Sequence, residues 1–375
     1  MYIYYLMKIS LSKPELDKKD LSIIVKSLKS GWLTHGPENL KFEKSFKKKI
    51  GTKYAISMNS CTSALECSLK VLEKKGDVII PSWTWVSTVN AVLNSGNKPV
   101  FADVNYNSRN ITAKEIKKKI TKKTIAVIVV HYAGLMCEMD PIINLLKKKK
   151  IELIEDSAEC LGATYKKKQA GSFGTGCFSF FPTKNITTTE GGMLTTNSKS
   201  KYEKIKRIIA HGINKNLKKK PWYRISDLPG HNFRLPNHLA ALGLNQLKRL
   251  EKFNFKRRLI AKNYDHFFKS YSDVFEIQEV DKDFTHSYQM YSIIAKAKYR
   301  DDLVYYLKKN NIEASVHFDP PLHKQKYLKK YKIYLKNTEK LSRTIITLPI
   351  YPGLDNSKQK YIFKKIDQWY KNKKK

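Results

Sequence analysis

The sequence has few cysteines and no long apolar run. Its five cysteines are scattered and form no CxxC pair or cysteine–histidine cluster, which argues against a disulfide framework and a zinc site. The strongly apolar run at 125–130 is far too short to span a membrane. The first ten residues show no basic segment followed by an apolar one, so no secretory signal is expected. We therefore expect a cytoplasmic protein without a metal or a membrane partner.

Arginine is also scarce, because only nine of the 72 basic residues are arginine and the others are lysine. The net charge of +39 would suit a nucleic-acid-binding protein. Proteins that read specific bases and phosphates, however, rely on the planar fork of arginine. The lysines are spread along the whole chain, so we interpret them as solvated surface charge. We expect no specific nucleic-acid partner, only weak attraction to polyanions.

No internal repeat and no Pro/Gly-rich linker divides the 375 residues. Between about residues 50 and 200, short apolar runs alternate with helical patterns, which predicts a mostly parallel sheet sandwiched by helices. Later segments indicate a smaller α+β domain. We expect a large domain over 1–255, which includes an N-terminal helix, and a small C-terminal domain over 256–375.

The predicted strands are 54–58, 78–80, 99–103, 126–131, 152–155, 177–180, 192–196 and 288–295. The predicted helices are 18–30, 62–74, 85–95, 112–120, 138–149, 236–267 and 299–310. The strands at 177–180 and 192–196 are expected to be neighbours. The spacing alone does not place the N-terminal helix.

Lys184 lies in an unusual setting for a lysine of this chain. It follows a strand and a proline, in the lysine-poor stretch FSFFPTKNITTTEGG at 178–192. A loop of hydroxyls, amides and glycines is suited to a close approach to a ligand. Alternatively, Lys184 is one more solvated charge on the surface of a lysine-rich chain.

Asp156 and Glu159 follow the apolar strand predicted at 152–155. Ligands of open α/β sheets bind at the carboxyl ends of the strands. A carboxylate there suits a pyridine nitrogen that must stay protonated, as in pyridoxal phosphate (PLP) chemistry. Glu159, three residues further, is expected to reach the phenolic oxygen of such a cofactor. The alternative for Asp156 is a cap of the following turn.

Thr62 and Ser63 stand where a strand gives way to a helix, and Trp85 follows another strand. A helix N-terminus offers free N–H groups and a positive dipole end, which suit a phosphate. An ordinary N-cap explains the two hydroxyls equally well. Trp85 could stack on a flat cofactor ring or lie in the core. The glycine-rich stretch 171–176 does not fit a dinucleotide fingerprint and is interpreted as a tight loop.

With these segments in hand, the chain resembles the DegT/DnrJ/StrS family of PLP-dependent nucleotide-sugar aminotransferases. The resemblance extends from the GWLTHGP motif at 31–37 to the LPIYPGL motif at 348–354. It is carried further by CTSAL at 61–65, PSWTW at 81–85, HYAG at 131–134, EDSA at 155–158, FSF at 178–180 with Lys184, EGG at 190–192 and GHNFR at 230–234.

The resemblance implies an aspartate-aminotransferase fold (fold type I), with a seven-stranded, mostly parallel sheet and a small C-terminal domain. It implies that Lys184 binds PLP as a Schiff base, that Asp156 pairs with the ring nitrogen and that Trp85 stacks on the ring. Three further matches, Thr62, Ser63 and Ser179, would surround the phosphate. Asn232 matches an asparagine that reaches the phosphate from a neighbouring subunit, which implies a homodimer with shared active sites.

The activity that the resemblance implies is transfer of an amino group, usually from glutamate, to a keto sugar carried on a nucleotide diphosphate. A perosamine-synthase-like reaction in surface polysaccharide or amino-sugar biosynthesis is one such activity. The alternatives are a same-fold PLP enzyme with a different acceptor and a non-catalytic regulatory or binding homologue. A dehydratase branch carries histidine in place of the lysine, so Lys184 favours transamination. Three residues depart from the family pattern, namely Cys61, Thr189 and Glu159.

Overall fold

The computed structural model describes residues 8–217 and 220–374. The expectation that no secretory signal is present draws on residues 1–7 and so lies partly outside this description. Within the described ranges the strands are β1 (Tyr54–Met58), β2 (Asp77–Pro81), β3 (Lys98–Ala102), β4 (Thr124–Val130), β5 (Glu152–Asp156), β6 (Thr164–Tyr165), β7 (Lys168–Gln169), β8 (Thr175–Ser179), β9 (Gly192–Thr196), β10 (Phe275–Glu276), β11 (Phe284–Thr285), β12 (Tyr291–Ala295) and β13 (Ile345–Leu348).

The helices of the same ranges surround these strands. They are α1 (Lys18–Lys29), α2 (Pro37–Ile50), α3 (Cys61–Lys70), α4 (Val86–Asn94), α5 (Ala113–Lys117), α6 (Met139–Lys149), α7 (Lys199–Ile208), α8 (Asn237–Lys269), α9 (Ala297–Lys309), α10 (Lys336–Thr344) and α11 (Asn356–Lys374). Short 3-10 turns lie at Tyr132–Gly134, Lys215–Leu217, Leu322–Lys324 and Lys326–Tyr331.

A seven-stranded sheet forms the centre of the molecule, with the strand order β1-β9-β8-β5-β4-β2-β3. Strand β9 runs antiparallel to both of its neighbours, and the pairs from β8 to β3 are parallel. The mostly parallel sheet and the neighbouring strands β8 and β9 are thereby confirmed. Strand β4 is apolar along nearly its whole length because helices cover both faces of a parallel sheet.

The N-terminal helix α1 packs against α8. Asp20, which is fully buried in the first turn of α1, accepts hydrogen bonds from Asn245 Nδ2 at 2.8 Å and from Gln246 Nε2 at 2.9 Å. Arg249 forms an ion pair with the same carboxylate. Four side chains of two elements thus fix a helix that the sequence spacing does not place.

Helix α8 runs through two hydrophobic clusters. Its first half contributes Leu250 and Phe253 to the cluster around Phe178 of the central sheet. Its second half contributes Tyr264 and Phe268 to a cluster with the small antiparallel sheet β10-β12-β13 and with α9 and α11. The expected boundary after residue 255 falls inside this single helix, between the two clusters. The division into domains 1–255 and 256–375 stays a prediction.

Candidate active site

Asp156 is the last residue of β5, between Val130 of β4 and Cys177 of β8. Its side chain is buried, and Thr88 Oγ1 of α4 donates a hydrogen bond to Oδ2 at 2.8 Å. The other oxygen, Oδ1, accepts a hydrogen bond from Ala158 N at 3.3 Å. This last bond shows that Asp156 does cap the following turn, while its second oxygen is held by a different element.

Burial raises the pKa of Asp156, because desolvation disfavours a charged carboxylate. The hydrogen bonds from Thr88 and Ala158 act in the opposite direction and lower its pKa. Glu159 raises the pKa of Asp156 and Lys184 lowers it through their charges. A buried carboxylate at the carboxyl end of a central strand is thus held by a hydroxyl and a backbone N–H group.

Lys184 lies in the loop between β8 and β9, and its side chain is only 17% exposed. Its Nζ is 3.6 Å from Glu159 Oε1. The second oxygen of Glu159 accepts a hydrogen bond from Ala133 N at 2.8 Å. The solvated-charge interpretation of Lys184 is wrong, because the side chain is largely buried beside a carboxylate.

The turn that holds Glu159 is itself fixed by buried polar groups. His131 Nε2 lies 3.2 Å from Glu155 Oε2, and its Nδ1 accepts a hydrogen bond from Cys137 N at 3.1 Å. Glu155 also accepts hydrogen bonds from the backbone of the predicted loop 171–176, at the N–H groups of Gly171, Phe173 and Gly174. Residues 171–174 form the predicted turn and Glu155 anchors it, whereas residues 175 and 176 of the predicted loop belong to strand β8.

The residues that flank Lys184 are held by distant parts of the chain. Thr183 O accepts a hydrogen bond from Gln289 Nε2 at 3.1 Å. On the other side, Asn185 Nδ2 donates to Asn254 Oδ1 at 2.7 Å and to Ser287 O at 3.1 Å. Sequence reasoning did not identify these residues, and their separation along the chain leaves no local signal for them.

The N-terminus of α3 is capped by Ser60, one residue before the helix begins. Ser60 Oγ accepts a hydrogen bond from Ser63 N at 3.0 Å, so neither Thr62 nor Ser63 is the N-cap. The hydroxyl of Ser63 donates to Asn59 Oδ1 at 2.7 Å. Cys61 Sγ lies 3.9 Å from Asp156 Oδ1, which brings this helix start to the end of β5.

Gly192 forms a cradle beside that helix start. A Cβ on Gly192 would lie 2.3 Å from Ser60 C and 2.5 Å from Cys61 N, so the backbone approach requires glycine. Ser179, the last residue of β8, pairs with Gly192 across the sheet. Its hydroxyl accepts a hydrogen bond from Phe181 N at 3.3 Å. The strand ends and the helix start therefore meet at one place.

Trp85 is 60% exposed and is the N-cap residue of α4. The interpretation of Trp85 as a core residue is wrong, whereas Trp83, two residues earlier, is buried. The ring centroid of Trp85 lies 6.3 Å from that of Phe318. An exposed aromatic side chain at the start of α4 remains available to stack on a ligand.

Asn232 is exposed and lies beside the end of β1. Its Oδ1 accepts a hydrogen bond from Arg234 Nε at 3.1 Å, and its backbone forms a bridge with Ala210. The next residue, Phe233, accepts a hydrogen bond from Asn59 N at 2.9 Å. The predicted role of Asn232 toward a neighbouring subunit stays a prediction.

The donor set fits PLP. A capped helix start next to a glycine cradle can accommodate a phosphate, and a buried carboxylate can pair with a protonated ring nitrogen. Lys184 supplies an amine close to both. Among residues 8–217 and 220–374, no group of three or more His, Cys, Asp or Glu side chains could hold a metal ion, and no helix is long and apolar enough to cross a membrane.

Comparisons with known proteins find relatives along nearly the whole chain. A sequence model of the DegT/DnrJ/EryC1/StrS aminotransferase family matches residues 14–367. The GDP-perosamine synthase of Escherichia coli O157:H7 is 34% identical over 374 residues, which covers 97% of this chain and 99% of that protein. The UDP-4-amino-4-deoxy-L-arabinose–oxoglutarate aminotransferase of Shewanella sediminis is 33% identical over 383 residues, which covers 97% of this chain and 98% of that protein. The solved structure of Helicobacter pylori PseC, an aminotransferase involved in pseudoaminic acid biosynthesis, has a TM-score of 0.92 at 31% identity, and the match covers 98% of this chain and 100% of that one.

Proposed function

The chain belongs to the DegT/DnrJ/EryC1/StrS aminotransferase family, and from that premise we propose that it transfers the amino group of glutamate to a keto group of a nucleotide-linked sugar. It is a PLP-dependent sugar aminotransferase with the fold of that family. The sugar, the amino donor, the roles of the site residues and the assembly are what we propose.

The observation that carries the proposal is the convergence of Lys184, Glu159 and Asp156 at the carboxyl ends of β5 and β8. The Nζ of Lys184 lies 3.6 Å from Glu159, and both charges act on the buried Asp156. A lysine from one loop and two carboxylates from the end of β5 and the turn after it form a site for acid–base chemistry rather than a folding core. An intact lysine and aspartate also disfavour a non-catalytic homologue.

We assign the cofactor-binding roles as follows. Asp156 would hold the proton on the ring nitrogen, and Trp85 would cover one face of the ring. The start of α3, with Thr62 and Ser63, would bind the phosphate together with Ser179. Bound there, PLP would supply an electron sink for the carbanion formed at the substrate carbon.

Lys184 would bind the cofactor in the resting enzyme and then act as the base at Nζ. With its amine free, Lys184 would take a proton from the substrate carbon onto Nζ and would carry that proton between the substrate carbon and the cofactor. Glu159 Oε1 lies 3.6 Å from Lys184 Nζ and would orient this amine for the proton transfer. We also place Glu159 near the phenolic oxygen of the cofactor, as its position three residues after Asp156 predicts.

We propose that the enzyme works as a homodimer in which Asn232 reaches the phosphate site of the partner subunit. A cavity of about 1230 Å³ opens beside this segment, and its lining includes Trp32, Tyr223, Arg224 and Arg234. Large apolar side chains are exposed along α1, the segment after it and the start of α2, namely Leu21, Val25, Leu28, Trp32, Leu33 and Leu40. An exposed apolar surface of this kind is typical of an interface.

The proposed substrate is a nucleoside-diphosphate keto sugar of the type used in surface polysaccharide or amino-sugar biosynthesis. The similarity to a GDP-perosamine synthase supports 4-amination of a GDP-linked sugar. The name of the Shewanella relative supports the glutamate/oxoglutarate pair as donor and product. All five cysteines are unpaired, in keeping with our proposal that the enzyme acts in the reducing cytoplasm.

The test is an absorption spectrum of the purified protein before and after glutamate, followed by product analysis with GDP- and UDP-linked keto sugars. We expect bound cofactor to absorb in the visible, glutamate to bleach that band, and a keto sugar to restore it. Borohydride reduction should attach the cofactor to Lys184. As a matched control, Lys118→Ala should keep the attachment at Lys184, since Lys118 is exposed and lies far from Lys184 along the chain. A label on another lysine, or bleaching by a different amino acid alone, would contradict the assignment of the lysine or of the donor.

A further inference from the structure

Thr88 is a buried hydroxyl residue that none of the sequence motifs explains. It lies in the first turn of α4, and its side chain is 1% exposed. Its Oγ1 is 2.8 Å from Asp156 Oδ2 and 3.1 Å from Thr84 Oγ1. Thr84 is also buried. Two hydroxyls and one carboxylate therefore form a short row that is shielded from water.

The direction of the hydrogen bonds in this row follows from the number of protons. An ionised carboxylate only accepts hydrogen bonds, and a hydroxyl has a single proton to donate. When Asp156 is charged, Thr88 must donate to it, and the hydroxyl of Thr84 is then free to donate to Thr88. A donor that itself accepts a hydrogen bond is strengthened, so Thr84 supports the bond from Thr88.

The other groups around Asp156 hold it less closely. On Oδ1, Ala158 N donates at 3.3 Å and the thiol of Cys61 lies at 3.9 Å. The remaining charged or titratable groups that act on it are Glu159 and Lys184, and Cys177 faces it from β8. Within the described part of the chain, Thr88 is the donor on Oδ2 and makes the shortest contact of the set.

We propose that Thr88 is a positioning residue of the reaction, which orients the Asp156 carboxylate and keeps it ionised, with Thr84 setting the direction of its hydroxyl. The inference rests on the proposed role of Asp156 opposite the ring nitrogen. Thr88 acts through Asp156 and needs no contact with substrate or cofactor.

The consequence for pH follows from the sign of each effect. Burial raises the pKa of Asp156 and the bond from Thr88 lowers it, so loss of the hydroxyl raises the pKa further. The carboxylate then takes up a proton at a higher pH, and the acidic limb of the pH–rate profile moves upward. In the apoprotein, a carboxyl group whose pKa is higher in the folded state than in the unfolded state stabilises the fold. This stabilisation is complete at pH values below the pKa of the unfolded state, and it is lost as the pH rises through the pKa of the folded state.

The experiment compares Thr88→Val, which keeps the shape, with Thr88→Ser, which keeps the hydroxyl. We expect Thr88→Val to slow the glutamate half-reaction roughly ten- to hundredfold, as for loss of a hydrogen bond to a charged group. The acidic limb of the pH–rate profile of Thr88→Val should shift to higher pH. Thr88→Ser should retain most of the rate and the acidic limb of the wild type. The matched control is Thr344→Val, a buried helical threonine whose hydroxyl bonds to Lys340 O.

A second readout needs no cofactor. The melting temperature of the Thr88→Val apoprotein should fall more steeply between about pH 4 and pH 8 than that of the wild type, and this difference should disappear in an Asp156→Asn background. If Thr88→Val does not fold, Thr84→Val should change the pH dependence of the melting temperature in the same direction, by a smaller amount. Unchanged profiles in these variants, or equal impairment of Thr88→Ser and Thr88→Val, would overturn the proposal. Full activity of Asp156→Asn would instead refute the proposed function, whatever the apoprotein coupling.

Discussion

Gly192 allows the sharpest steric test of the phosphate site. A Cβ at this position would lie 2.3 Å from Ser60 C, 2.4 Å from Ser60 O and 2.5 Å from Cys61 N. Carbon atoms in ordinary contact are about 3.5–4.0 Å apart. In Gly192→Ala the start of α3 would therefore have to move by about 1 Å, because the clash is with backbone rather than with a flexible side chain.

The magnitude follows from overpacking, which destabilises a close-packed site by about 1–3 kcal/mol. If the moved groups are those that hold the phosphate, the cofactor loses a similar amount of binding free energy. Since about 1.4 kcal/mol corresponds to a factor of ten, the dissociation constant for PLP should rise roughly five- to a hundredfold. Removal of the helix cap by Ser60→Ala should act in the same direction, with a cost of about 1 kcal/mol.

The assay is titration of the apoprotein with PLP, followed by absorbance, together with thermal unfolding of the same samples. Gly353→Ala is the matched control, because the close contact of a Cβ there would be with the flexible carboxylate of Glu15, at 2.3 Å, and not with backbone. It should leave both quantities close to the wild type. Cofactor binding by Gly192→Ala as tight as that of the wild type would refute the placement of the phosphate at the start of α3.

Three further predictions concern charge and assembly. Asp156→Asn should slow single-turnover amino transfer from glutamate by about two orders of magnitude or more while the cofactor stays bound, because only the partner of the ring nitrogen is lost; a near-normal rate would show that another group protonates the ring. At micromolar concentration the protein should sediment as a dimer. Asn232→Ala should weaken cofactor binding while the protein stays a dimer. A fully active monomer would contradict the shared site. Any binding to DNA should be weak, independent of sequence and lost steeply with salt, as measured by a filter or anisotropy titration; tight binding to one sequence at physiological salt would contradict the interpretation of the lysines as generic surface charge.

The alternation of apolar runs predicted the central sheet well because parallel strands are buried on both faces. The predicted strands 54–58 and 192–196 agree with β1 and β9 in both bounds, and the other strands of the central sheet differ by at most two residues at either end. Four helices received no prediction: α2, α7, α10 and α11. In α2 the signal was present, since Phe42, Phe46 and Ile50 recur every four residues between Pro37 and Gly51. The many lysines between them obscured the apolar stripe.

Local patterns of the sequence were enough to predict which residues carry the chemistry. A carboxylate that ends an apolar strand, a lysine in a polar loop and small residues before a helix are local patterns, and the folding of each segment preserves them. Lys184, Asp156 and Glu159 could therefore be assigned candidate roles from the printed sequence, and the structure brings them together.

The groups that surround these residues could not be predicted in this way, because they come from distant parts of the chain. Thr88 and Asp156 are 68 positions apart, and Gln289 and Thr183 are 106 apart. Their contacts depend on how α4 and the segment before β12 pack on the sheet. The exposure of Trp85 beside the buried Trp83 was settled in the same way. Hydrophobic periodicity reports which face of one element is buried, but a hydrogen bond between two elements depends on their relative position, which many packing contacts set jointly.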